Sequence, residues 1–355
     1  MMSERLSKLL ATRPWLLADG ATGSNLFAMG LVSGEAPELW NTEYPERITQ
    51  LHRGFAEAGA DIILTNSFGG TRYRLKLHKA EGRVHELNVA AARLARAVAD
   101  QSGREIVVAG SMGPTGEILE PLGPLTVAAA REAFAEQARA LAEGGADVLW
   151  IETMSSKEEV EAAIEGARTS GLPVVSTLSF DTNGRTMMSL TPQDLAGIHH
   201  THELLASGSN CGVGPSELVA SIVNLAKASQ PGAVLVAKAN CGIPKYVDGA
   251  IRYDGTPELM ADYARLALDA GARIIGGCCG TTPEHLRVMR AALEAHTTAS
   301  APDADQIEAR LGTISTGARA QLRGLMDRAS GAAPGAATRR ISARRAARAA
   351  DPTST

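Results

Sequence analysis

Short apolar runs alternate with longer amphipathic ones from residue 16 to about residue 293. Leu16-Leu17-Ala18, Asp61-Ile62-Ile63-Leu64, Ile106-Val107-Val108-Ala109 and Asp147-Val148-Leu149-Trp150-Ile151 open the series. Val174-Val175-Ser176-Thr177-Leu178, Leu204-Leu205-Ala206-Ser207-Gly208, Val234-Leu235-Val236-Ala237 and Arg273-Ile274-Ile275 complete it. Such runs are expected of strands buried on both faces, as in a parallel sheet. Between them, residues 45–59, 84–100, 126–144 and 155–170 carry apolar residues at helical spacing. Pro45 opens the first of these helices and Gly59 closes it, the usual order of helix punctuation. Ser155-Ser156-Lys157-Glu158 reads as a capping box, and Pro192, Pro257 and Pro283 each follow a threonine at a helix start. Gly59-Ala60-Asp61 recurs as Gly145-Ala146-Asp147 and as Gly271-Ala272-Arg273, a helix stop ahead of a strand each time. Eight strand–helix units over about 290 residues predict an α/β fold closed as a (β/α)8 TIM barrel, for which roughly 250 residues is typical. A doubly wound sheet is the alternative, but no Gly-x-Gly-x-x-Gly opens the first helix.

The pattern changes after His296, so the barrel is expected to occupy residues 1–296. Residues 297–330 read as a linker followed by an amphipathic helix, Gln306 to Arg328, with Ile307, Leu311, Leu322 and Met326 on its stripe. A stripe detached from the barrel must be buried somewhere, which leaves homo-oligomerisation open. Residues 331–355 are low in apolar bulk and rich in arginine, and a disordered tail is expected.

Composition narrows the function classes. The 355 residues are 45% hydrophobic and 21% charged, ordinary for a globular chain. A net charge of −4 and 4% aromatics argue against nucleic acid as a partner. No run approaches a membrane span and the first fourteen residues do not resemble a signal peptide. Four unevenly spaced cysteines are not a disulfide framework; reduced thiols fit a cytoplasmic location.

Polar residues follow the apolar runs consistently. In a barrel, the C-terminal strand ends form one rim, and that rim would collect Asp19, Asn66, Glu152, Asn210, Cys211, Asn240, Cys241, Cys278 and Cys279. Cys278 and Cys279 stand between glycines and cannot easily form a disulfide with each other, but a sharp turn lets both reach one metal ion. With Cys211 they would give a three-thiolate Zn²⁺ site with one open position. Small buried residues are the alternative for the cysteines, and helix caps for Asp19 and Glu152. Three thiolates leave a zinc site formally negative, which suits holding a substrate thiolate better than hydrolysis. Sulfur alkylation is the expected chemistry, with the carboxylates of Asp19 and Glu152 placed to hold a substrate ammonium.

These residues resemble the homocysteine S-methyltransferases over about Leu16 to Leu293. The resemblance is carried by Asp19-Gly20-Ala21-Thr22-Gly23, Pro37-Glu38-Leu39-Trp40-Asn41, Thr65-Asn66-Ser67-Phe68-Gly69, Gly113-Pro114-Thr115-Gly116, Glu152-Thr153, Gly208-Ser209-Asn210-Cys211 and Gly276 to Gly280. It implies a zinc (β/α)8 barrel that forms methionine from homocysteine. It places the zinc ligands on Cys211, Cys278 and Cys279, the homocysteine-binding acids on Asp19 and Glu152, and a substrate-facing rim that includes Asn66. In the cobalamin-dependent branch an asparagine that fills the open zinc position falls on Asn240. Three departures stand out. Cys241 replaces a common alanine. The aromatic residues that enclose betaine align with Ala36 and Gly69. No folate or cobalamin domain is expected after the barrel, so cobalamin would act only from a partner protein. Because aromatic faces hold a quaternary ammonium best, the sequence favours a methylcorrinoid protein over betaine as donor, with Trp40 and Phe68 expected to pack inside the barrel. The competing reading is a thiol- and zinc-binding barrel that works only as one subunit of a multiprotein methyltransferase.

Overall fold

The computed structural model describes residues 4–247 and 250–325. Eight parallel strands, Leu16–Leu17, Ile62–Leu64, Val107–Met112, Val148–Met154, Val174–Leu178, Ala206–Cys211, Leu235–Ala239 and Ala272–Gly277, pair in chain order. The ring closes where Leu16 and Leu17 pair with Ile274 and Ile275, and where Ala18 bridges Ile62. This is the expected (β/α)8 barrel.

Side chains alternate along each strand, and both sets are buried. Leu16, Ile62, Leu64, Val107, Val148, Trp150, Val236 and Ile274 fill the lumen. Leu17, Ile63, Val108, Leu149 and Ile151 point outward into the helical layer, among residues such as Phe55, Ala92 and Phe134. That double burial is why the strands read as continuous apolar runs. An N-terminal helix, Arg5–Thr12, brings Leu6, Leu9 and Leu10 into the lumen cluster and plugs the barrel from below.

The recurring Gly-Ala-Asp phrase has a role beyond stopping helices. Asp61 accepts the Leu17 N–H at 2.9 Å and binds Arg13 and Arg290 at 2.7 and 3.0 Å. Asp147 accepts the Val108 N–H and binds Arg96, both at 2.8 Å. In the third copy Arg273 donates to the Leu10 and Arg13 carbonyls at 2.6 Å, holding the plug. Each phrase thus pins a strand start at the lower rim.

The helices keep their expected places: Pro45–Glu57, Val84–Gln101, Val127–Glu143 and Lys157–Arg168. Thr191, Thr256 and Thr282 are N-caps with proline following. The fourth helix is capped by Ser156 rather than Ser155, since Ser156 accepts the Glu159 N–H. An antiparallel hairpin, Pro244–Val247 with Ala250–Tyr253, follows the Leu235–Ala239 strand and was not legible in the sequence.

The amphipathic segment after the barrel corrects the sequence expectation. It is two short helices, Ala304–Leu311 and Thr316–Leu322, broken at Gly312 with φ +94°. Ile307, Leu311, Ile314 and Ala318 join the barrel's own core, beside the helix Pro215–Ala228. Gln321 donates to the Gly184 carbonyl and Gly317 to Asn183, both at 2.7 Å, so the strap also fixes the loop after the Val174–Leu178 strand. The stripe is therefore covered by its own chain. Met326, Arg328 and the Arg-rich segment 331–355 lie outside the described residues.

Candidate active site and metal centre

Cys211 ends the Ala206–Cys211 strand, and Cys278 and Cys279 follow Ala272–Gly277 directly. Their Sγ atoms all lie within 4.8 Å of one another. Zn–S bonds of about 2.3 Å in a tetrahedron need sulfurs about 3.8 Å apart, so small rotations complete the set. The backbone is bent to make this possible. Cys211 has φ +62° and Gly212 φ +76°, and a left-handed non-glycine residue costs on the order of 1–3 kcal/mol. On the other strand, a Cβ on Gly277 would sit 2.2 Å from Thr281, so only glycine allows the turn into the cysteine pair.

Burial and mutual contact act on the thiols. Hydrogen bonding to Cys278, then burial, leaves the Cys211 thiol pushed up to about 12. Hydrogen bonding to Cys211, with burial, pushes Cys279 up to about 11. Three such thiols do not ionise together unless a cation sits among them, and a dication reverses that balance. The donor set therefore fits a zinc ion.

Two asparagines hold the frame. Asn240 donates to the Gly212 carbonyl at 2.6 Å and accepts the Cys279 N–H at 3.1 Å, tying the two cysteine loops together. Its side chain is thus committed to the backbone here. Asn210 accepts the Thr153 N–H at 2.8 Å, donates to Thr153 Oγ1 at 2.7 Å and reaches Cys278 Sγ at 3.9 Å. Thr153 has φ +63°, so Asn210 secures a second left-handed position, next to Glu152. Cys241 is 1% exposed and its thiol donates to the Gly255 carbonyl at 3.1 Å, apart from the other three, as a small buried residue.

The cysteines open on a cavity of about 330 Å³ that is also lined by Glu152, Lys238, Asn66, Phe68, Glu38, Arg74 and His78. Glu152 accepts a 2.5 Å hydrogen bond from Ser111 Oγ. Burial raises the Glu152 carboxyl, and Lys238 and Ser111 only partly offset it. Asn66 donates to the Pro37 carbonyl at 2.7 Å and to Asn41 Oδ1 at 3.0 Å, anchoring the Pro37–Leu39 segment at the cavity wall. Trp40 is buried, with the Tyr44 ring tilted against it and the Arg47 guanidinium over its face. Phe68 corrects its expectation: it lines the cavity, lying against Gly113, where a Cβ would meet its ring at 2.5 Å.

Asp19 is placed differently from Glu152. Its Oδ1 accepts from Lys238 Nζ at 2.7 Å and its Oδ2 from the Leu64 N–H at 2.7 Å. Both members of the ion pair are 2% exposed, and Asp19 is not among the lining residues. Burial alone would lower the Lys238 ammonium, but Asp19 and Glu152 outweigh it and hold it above its ordinary range. The ammonium lies 5.6 Å over the Trp150 ring. Sequence reasoning missed Lys238. Its signal was a lysine inside the apolar run Leu235–Ala239, which must find a buried counter-ion.

A homocysteine S-methyltransferase family profile matches residues 16–293. The methionine synthase of Mycobacterium tuberculosis is 31% identical over 301 residues, covering 78% of this chain and 24% of its own length. The chain thus spans about a quarter of that curated relative. The metallated homocysteine methyltransferase MmuM of Escherichia coli superposes with a TM-score of 0.67 at 26% identity, over 81% of this chain and 99% of that one. A methyltransferase from Methanosarcina mazei, at 16% identity and a TM-score of 0.53, shares the fold.

Proposed function

Since this chain belongs to the homocysteine S-methyltransferase family, we propose that it methylates the thiol of homocysteine at a zinc ion held by Cys211, Cys278 and Cys279. The observation that carries this is the convergence of three cysteine sulfurs and a buried carboxylate on one cavity. A zinc ion there would supply an open position for the substrate sulfur and favour its thiolate near neutral pH.

The chain's own residues do the rest. Glu152 takes the substrate ammonium, with Ser111 fixing the carboxylate in place. Asp19 acts through Lys238, whose charge favours the ionised form of Glu152 against the cost of burial. Asn210 donates toward Cys278 and Asn240 holds the cysteine loops in register. Asn66 shapes the wall where the donor must enter. As the sulfur–methyl bond forms, the donor's bond to that methyl breaks and its leaving atom keeps the electron pair. Two donor classes fit this step, a small onium compound and a methyl group carried on a corrinoid protein.

Zinc content and methionine formation test the reading together. Purified protein should carry about one zinc per chain. Cys278→Ala and Cys279→Ala should each lose most of the metal and homocysteine binding while circular dichroism stays that of a folded barrel. Full zinc in both variants would refute the ligand assignment. No methionine from any donor, with zinc and homocysteine bound, would leave a barrel that is only a subunit.

A further inference from the structure

At the upper rim the Val107–Met112 strand outruns its neighbour. The Ile62–Leu64 strand pairs with it only as far as Leu64 opposite Ala109. Val107 and Ala109 direct backbone bonds to that side, through the Asp61 carbonyl and the Thr65 N–H. Ser111 has the same parity, so its N–H and C=O also point there, beyond the end of the neighbouring strand. Buried peptide groups need partners, and two hydroxyls supply them. Thr65 Oγ1 accepts the Ser111 N–H at 3.0 Å, and Ser67 Oγ donates to the Ser111 carbonyl at 2.8 Å.

The two hydroxyl oxygens lie 2.6 Å apart. Ser67 has one hydroxyl proton, and it goes to a carbonyl that can only accept, so Thr65 is the donor between them. The bonds form a directed ring: Ser111 N–H to Thr65, Thr65 to Ser67, Ser67 to the Ser111 C=O. Thr65 and Ser67 are each 1% exposed, and bonds in such a buried ring reinforce one another. Gln137, from the helix Val127–Glu143, donates to the Ser67 carbonyl at 2.7 Å and steadies the turn from outside the barrel. Finishing the strand would account for the ring alone, but not for where the Ser111 side chain then points. The peptide groups on both sides of the Ser111 Cα are held, which fixes the direction in which Oγ leaves the strand. That direction delivers its 2.5 Å hydrogen bond to Glu152 Oε1. Neither Thr65 nor Ser67 lines the cavity, so neither touches a ligand there.

Resting on the reading in which Glu152 takes the substrate ammonium, we infer that Thr65 and Ser67 are positioning residues for substrate selection. They aim Ser111 so that it occupies one oxygen of Glu152 and presents the other to an ammonium. The ring thus sets how strongly the site prefers an amino-acid thiol over a thiol that lacks the amino group. It has no part in holding the sulfur.

The test is calorimetry on the zinc-loaded full chain with two probes: homocysteine, and 4-mercaptobutanoate, which keeps its thiol, chain length and carboxylate without the ammonium. Wild type should prefer homocysteine. Thr65→Val keeps the side-chain shape and removes the hydroxyl. It should weaken homocysteine roughly fivefold or more while 4-mercaptobutanoate changes by less than about twofold. Ser67→Ala should act in the same direction. Thr65→Ser keeps the hydroxyl and should restore the preference, and it remains informative should Thr65→Val fold poorly: a serine variant that folds, binds zinc and has lost the preference would count against the ring. Equal losses on the two thiols, or an unchanged homocysteine affinity in both Thr65→Val and Ser67→Ala, would overturn the inference and leave the methyl-transfer reading standing. A wild type that binds neither thiol would overturn both.

Discussion

Glu152→Gln separates what the site needs from what the fold prefers. The carboxylate is 8% exposed, held by Ser111 at 2.5 Å and facing the cavity. Its replacement keeps the shape and an oxygen to accept from Ser111. What disappears is the charge offered to the substrate ammonium. A charged hydrogen bond is worth roughly 1.5–3 kcal/mol, so homocysteine should bind about 10- to 150-fold more weakly. The stability effect has the opposite sign. Burial raises the folded carboxyl above its unfolded value. Its contribution is therefore fully present below the unfolded pKa and lost as pH rises through the raised folded one. Glutamine has no such loss, so the variant should melt at or above the wild-type temperature at neutral pH. Its advantage should shrink on acidification toward the ordinary glutamate range. Calorimetric titration of homocysteine into zinc-loaded protein and thermal melts from pH 5 to 9 give both readouts, and metal analysis should show zinc retained. Unchanged homocysteine affinity would refute the assigned role. A variant that melts lower at every pH would refute the burial argument.

Lys238→Met should destabilise the protein by roughly 3–5 kcal/mol, because it strands the Asp19 carboxylate beside one N–H. Adding Asp19→Asn should recover most of that, and denaturant titrations of both variants that gave equal losses would show no coupling. A chain ending at Leu325 should keep zinc and activity. One ending at His296 removes Ile307, Leu311 and Ile314 from the core and should melt lower by roughly 5 °C or more in a thermal scan.

The sequence carried the architecture because the barrel's strands are buried on both sides, and such runs stand out. The cysteines and Glu152 stood out because each comes at the end of an apolar run, where packing gives no reason for a polar residue. Lys238 was hidden by the same logic, since it sits within a strand and pairs with a residue 219 positions away. Glu38, Arg74 and His78 were hidden because they come from loop and short-helix segments that only the folded rim brings to one cavity. The split of residues 304–322 into two helices turned on Gly312, which periodicity alone reads through.

The plug at the bottom of the barrel has a consequence for the order of assembly. Arg5–Thr12 precedes every strand of the barrel, yet its partner Arg273 lies 263 residues from Leu10. Closing a loop of that length costs about 5 kcal/mol of chain entropy by the logarithmic rule, and distant pairings of this kind make folding slow. Until the Ala272–Gly277 strand arrives, the two-residue first strand lacks one neighbour and Leu6, Leu9 and Leu10 have no finished lumen to enter. Cys278 and Cys279 ride on that same last strand, so a nascent chain offers a metal only Cys211 of the three. Under the zinc reading, the three-thiolate site is complete only once that strand has docked.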